Sequence, residues 1–261
     1  MIDRRSPLTF FLLVFALSIP FAVLGSVTGL QLMPGIPVSA LGFICPVMAA
    51  SILVWRESGF AGVKALLKRS FDYRRRVKLW YAPVLLLMPV VTVLAYGLMR
   101  LEREPLSPPR FSVVGTAVLF LVFFIAALGE ELGWSGYAID PMQARYGALG
   151  GAILLGIVWA VWHIVAMVQG GQSPAWIAWG CLDMVATRAL MVWLYNNTGK
   201  SVFAVALYHA TANLSTKTIF PGGSYHAERI ITLILVVVAG LVALVWEPRT
   251  LAVRRHRLVS A

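Results

Sequence analysis

The stretch 8-LTFFLLVFALSIPFAVLG-25 carries no charge. As a helix rising about 1.5 Å per residue it would cross most of a hydrocarbon core about 30 Å thick. Working outward, this first run extends over 8–30, and comparable apolar segments follow near 36–55, 80–100, 112–134, 149–168, 174–196, 201–219 and 229–247. Of the 261 residues, 59% are hydrophobic and only 13% charged, against roughly 45–50% and 25% in soluble proteins. So little charge cannot solvate the surface of a water-soluble globule, but it suits helices that satisfy their own backbone hydrogen bonds in lipid. The pattern predicts an all-α polytopic transmembrane bundle of about eight spans. It forms a single integral membrane domain over 1–261, with a core about 110–219 and a basic tail at 248–261.

The net charge of +11 is concentrated in blocks. Arg4 and Arg5 precede the first span, Arg56, Lys64, Lys68, Arg69, Arg74, Arg75, Arg76 and Lys78 fill the 56–79 gap, and Arg249, Arg254, Arg255 and Arg257 close the chain. Juxtamembrane blocks of this kind mark cytoplasmic loops and can hold anionic lipid headgroups. The expected partners are therefore membrane lipids rather than nucleic acid, with both termini cytoplasmic in the plasma membrane. No A-x-A site follows the first span, so it is read as an uncleaved helix. Cys45 and Cys181 fall inside separate spans and are read as packing residues rather than a disulfide. The stretch 135–151, with Asp140 and Arg145, is expected to form a short interfacial helix.

Removing the loop charges leaves a short roll of polar groups inside the spans: Glu130, Glu131, His163, Asp183, Arg188, His209 and Asn213. An ionisable side chain at mid-bilayer costs about 2.5–3.5 kcal/mol even on lenient scales, so each needs a reason to be there. Adjacent Glu130 and Glu131 cannot both ionise cheaply in a dry site, which suits one to general-base work; the alternative is a solvated helix end, favoured by Gly133 and Gly136. His163 shares a helix face with Trp159 one turn earlier, an arrangement equally suited to packing. His209 and Asn213, four apart, can present two donors to one oxyanion or join two helices. Asp183 and Arg188 are expected to form an ion pair, with pairing of Arg188 to a site glutamate as the alternative. His226 and His256 lie in polar flanks. Taken together, Glu130, His163, His209 and Asn213 could activate water, or Glu130, His163 and His209 could hold a divalent metal such as zinc.

The segments 130-EELGWSG-136, 159-WAVWH-163 and 209-HATAN-213, the last preceded by 198-TGKSVFAVALY-208, resemble the three motifs EExxxR, FxxxH and HxxxN of the CPBP intramembrane endopeptidases. That group contains the type II CAAX prenyl proteases and the bacteriocin-processing proteins formerly called Abi. The resemblance covers about 110–215. It implies an intramembrane endopeptidase acting on a peptide or lipidated peptide, with Glu130 the base, His163 its helper, His209 and Asn213 the oxyanion site, and Glu131 structural or assisting. Two departures stand out. Ser135 occupies the position of the motif arginine, which leaves Glu131 short of an expected partner, and Trp159 replaces phenylalanine, a mild change of aromatic bulk. Two other readings remain: a proton-coupled transporter, in which the buried acids and histidines form a relay, and a pseudoprotease that binds a partner without cleaving it. The placement also carries a strain, because His163 falls some turns deeper than Glu130 unless Gly150 and Gly151 delay the start of its helix.

Overall fold

The computed structural model describes residues 6–109, 111–221 and 223–252, with only the backbone of Arg75 and Arg76. Arg4, Arg5, Arg254, Arg255, His256 and Arg257, and with them most of the basic tail, lie outside the described residues. The described chain forms eight α-helices: α1 (Pro7–Thr28), α2 (Cys45–Lys68), α3 (Tyr81–Leu101), α4 (Val113–Gly133), α5 (Ile139–Gln169), α6 (Pro174–Asn197), α7 (Val202–Ile219) and α8 (Tyr225–Val245). Six helical stretches are long and apolar enough to cross a bilayer, and one of them, Val113–Gln169, contains both α4 and α5. The chain is an integral multi-pass membrane protein with an all-α bundle.

Local sequence explains the helix starts. Ser6, Ser112, Ser173, Ser201 and Ser224 each accept the backbone amide three residues on, at the heads of α1, α4, α6, α7 and α8. Such a cap contributes about 1 kcal/mol. The second span differs from its expected bounds. Its α-helix begins at Cys45, after a 3₁₀ segment Val38–Ile44, and continues to Lys68 through a break at Gly59, so half of the basic gap is helical. A small hairpin, β1 (Gln31–Met33) paired with β2 (Ile36–Pro37), precedes it and has no counterpart in the hydropathy pattern.

α4 packs mainly on α2 and α7, while α5 packs mainly on α6. Small residues permit the closest approaches: a Cβ at Gly133 would lie 2.6 Å from the Pro46 backbone, and one at Gly156 would lie 2.9 Å from the Val185 Cα. Gly133 is thus a packing residue of the bundle rather than a sign of a fraying helix end.

The stretch 135–151 corrects the interfacial-helix expectation. α4 runs through a π-helical turn, Trp134–Ala138, directly into the first part of α5, and the helix breaks only at Gly147, where φ is 72°. Trp134, Ser135, Gly136, Tyr137, Ala138, Ile139, Pro141 and Met142 are buried, which no surface-lying helix would allow. Beyond Gly147 the amides of Ala148 and Leu149 donate to the carbonyls of Arg249 and Pro248 at 2.9 Å. The start of the tail is therefore docked against the bundle.

This continuation removes the depth strain. Glu130 stands about 24 Å before the break at Gly147, and His163 about 22 Å after the helix resumes at Ala148, so the two come level. Gly150 and Gly151 are helical and delay nothing.

Candidate active site

Glu130 and Glu131 are 7% and 0% exposed, so the pair is not a solvated helix end. Their surroundings differ. The carboxylate of Glu131 accepts from Arg188 Nη1 at 2.8 Å, Arg188 Nη2 at 3.2 Å, His209 Nδ1 at 3.2 Å and the Ser135 hydroxyl. Arg188 is itself 0% exposed, making a two-point ion pair inside the bundle. Glu130 accepts one hydrogen bond, from the indole N–H of Trp159 at 2.8 Å, and its remaining lone pairs have no protein donor among the described residues.

Arg188 thus corrects two expectations. It pairs with Glu131 and not with Asp183, which shares its helix but faces elsewhere: Asp183 has Glu228, Tyr208 and Thr187 as its neighbours. Five residues on a helix turn side chains about 140° apart, so one face cannot hold both. Nor does Ser135 leave Glu131 unpartnered. The serine hydroxyl donates to it directly, and the cation arrives from α6.

Trp159 lies at the middle of the cluster, and its substitution for phenylalanine is more than bulk. Besides holding Glu130, its ring meets His163 edge-on at 5.1 Å and His209 edge-on at 5.4 Å between centroids, and the Arg188 guanidinium lies 4.2 Å from its centroid. One indole therefore connects α4, α5, α6 and α7 through a hydrogen bond, two ring contacts and a cation–π contact. Phenylalanine could make the ring contacts but not the hydrogen bond.

His163 Nδ1 lies 2.9 Å from the Trp159 carbonyl, one turn back on α5. A carbonyl only accepts, so Nδ1 carries the proton and a neutral ring presents the Nε2 lone pair. Trp162 packs edge-on at 4.7 Å and fixes the ring plane, and Glu130, His209 and Arg188 are all within electrostatic reach. His209 is buried and committed through Nδ1 to Glu131, which leaves Nε2 to face a ligand. Asn213, one turn further along α7, is partly buried, and its amide has no side-chain partner among the described residues.

As for a metal, no group of three His, Cys, Asp or Glu side chains among the described residues is arranged to hold one. Glu130, His163 and His209 approach through an indole donor rather than around a common point, so this donor set does not fit zinc. Cys45 and Cys181 are free. His226 packs on Tyr225 at the head of α8.

Sequence reasoning collected Glu130, Glu131, His163 and His209 and held a site glutamate as the alternative partner of Arg188, the one the structure shows, but missed the role of Trp159. A charge count over the spans held a usable signal for choosing that alternative: a buried guanidinium requires a carboxylate, and Glu131 required a cation.

Residues 112–215 match the family model described as type II CAAX prenyl endopeptidase, Rce1-like. Among curated proteins, the chain is 28% identical over 189 residues to CAAX prenyl protease 2 of Methanococcus maripaludis, covering 67% of this chain and 69% of that protein. The matched interval contains every residue of the cluster.

Proposed function

We propose that the chain is an intramembrane endopeptidase of the kind its 112–215 match describes, and that it hydrolyses a peptide bond of a membrane-associated substrate, a prenylated CAAX tail or a leader peptide, using water activated by Glu130. The observation that carries this reading is the unequal treatment of two adjacent carboxylates. Four donors saturate Glu131, whereas Glu130 is oriented by one and keeps lone pairs free for a substrate water.

Glu130 takes a proton from a water held between its carboxylate and Nε2 of His163. The resulting hydroxide attacks the scissile carbonyl carbon. Charge develops on the carbonyl oxygen, where His209, as an imidazolium with Nδ1–H on Glu131 and Nε2–H turned to the oxygen, and the Asn213 amide donate to it, and Glu130 returns the proton to the leaving amine. Arg188 and Ser135 hold Glu131, and Glu131 holds His209. No step passes through a metal. The basic end of the bundle faces the cytoplasm, consistent with its lysines and arginines. The pseudoprotease reading rested on Glu131 lacking a cation, and Arg188 removes that ground.

Cleavage of a prenylated CAAX peptide by purified protein in proteoliposomes, with loss of about 10²-fold or more in Glu130→Gln, tests the proposal. Full activity in that variant, with the wild type active, would overturn it.

A further inference from the structure

At the basic end, the chain passes the Gly59 break inside α2, leaves the helix after Lys68 and reaches α3 by way of 3₁₀ segments Arg69–Phe71 and Arg75–Trp80. Along this path large apolar side chains face outward beside cations: Phe71 is 82% and Leu79 81% exposed. A cavity of about 480 Å³ opens here between the end of α2, the start of α5 and the α6–α7 loop, walled by Lys68, Arg69, Arg74 and Lys200 against Asp72 and Asp140.

Both carboxylates are already committed. Asp72 caps α7, accepting from the Ser201 hydroxyl at 2.8 Å and from the amides of Phe203 and Val202 at 3.0 and 3.1 Å. Asp140 accepts from the Lys200 ammonium at 2.9 Å and the Tyr195 hydroxyl at 3.3 Å. Arg69 donates to the carbonyls of Gly136 and Lys200 and to the Tyr195 hydroxyl, each at 2.8 Å, and its Nε lies 3.7 Å from Asp72 Oδ2. Lys200 holds a left-handed backbone, φ 64°, in the loop that presents that carbonyl. Among the described residues, the side chains of Lys68 and Arg74 have no partner. The cleft therefore has a surplus of cations, two of them without a partner among the described residues, and the exposed Phe71 and Leu79 lie on the same connecting segment.

We infer that this cleft binds the phosphate of an anionic phospholipid, with Lys68 and Arg74 on the phosphate oxygens and the acyl chains against Phe71 and Leu79. Charge complementarity selects the headgroup, and the exposed apolar side chains select a lipid over a soluble anion. Through Arg69 and Asp72 the cleft is tied to the turn after the glutamate pair and to the head of the helix that carries His209. A bound headgroup would brace both.

The test reads stability and so does not depend on the proteolytic reading. In nanodiscs containing phosphatidylglycerol, the thermal midpoint should rise by about 4 °C over phosphatidylcholine alone. The double variant Lys68→Gln/Arg74→Gln should lose that rise while matching the wild type in phosphatidylcholine, and Lys64→Gln/Lys78→Gln, neutralising cations outside the cleft, should keep it. An equal rise in both double variants, or none in the wild type, would overturn the inference. So would an equal rise from millimolar inorganic phosphate in phosphatidylcholine discs, which would assign the cleft to a soluble anion.

Discussion

Arg188 and Glu131 form a two-point ion pair with both side chains fully buried, Nη1 to Oε2 at 2.8 Å and Nη2 to Oε1 at 3.2 Å. The pair joins α6 to α4 and, through Glu131, reaches His209 on α7. Since one glutamate is neutralised in this way, its neighbour can stay free without stacking two unpaired charges in lipid.

Removing one partner strands the other charge. Arg188→Met should destabilise the protein by about 3–5 kcal/mol, read as a large drop in the thermal midpoint. Arg188→Met with Glu131→Gln should recover much of the loss, since no unpaired charge remains. Arg188→Lys should fall between, because an ammonium cannot span both oxygens.

The two glutamates should separate by assay. Glu130→Gln keeps the wild-type thermal midpoint and loses peptidase turnover. Glu131→Gln loses stability first, and its activity falls with the folded fraction. Equal stability loss in both variants would contradict the division of roles.

Trp159→Phe retains the ring contacts and deletes only the donor to Glu130. A hydrogen bond to a charged group contributes about 1.5–3 kcal/mol. The expected result is a fall in kcat of about tenfold or more with KM little changed, from peptide-cleavage kinetics. Unchanged kcat would remove the indole from the positioning of Glu130.

Asn213→Ala should reduce kcat by about 10²-fold without moving the thermal midpoint, because its amide has no side-chain partner among the described residues. His209→Ala should reduce both, since it also strips a donor from Glu131.

Ser135→Arg should not improve the enzyme. The side chain is 4% exposed and its carboxylate partner is already occupied by Arg188, so a second guanidinium overfills the site. Reduced yield of folded protein, read by size-exclusion chromatography, is expected.

The sequence alone determined the membrane class, the positions of most helices to within a few residues though not the bounds of α2 or the start of α5, and which side chains were too costly to sit in lipid by accident. It could do so because a bilayer demands internal backbone pairing and a fixed apolar length, both local properties of the chain. The motif spacing also grouped Glu130, His163, His209 and Asn213 through a family resemblance. Local patterning missed the run of α4 through a π-turn into α5, because buried glycines that mark close packing look the same in sequence as glycines that end a helix. Only the tertiary structure decided which cation neutralises Glu131 and which donor orients Glu130. Arg188 had Asp183 nearby in sequence and chose a carboxylate on another helix, and Trp159 turned its N–H across to α4. Such choices depend on the relative rotation of packed helices, which close contacts such as Gly156 against Val185 help to set and no single helix encodes.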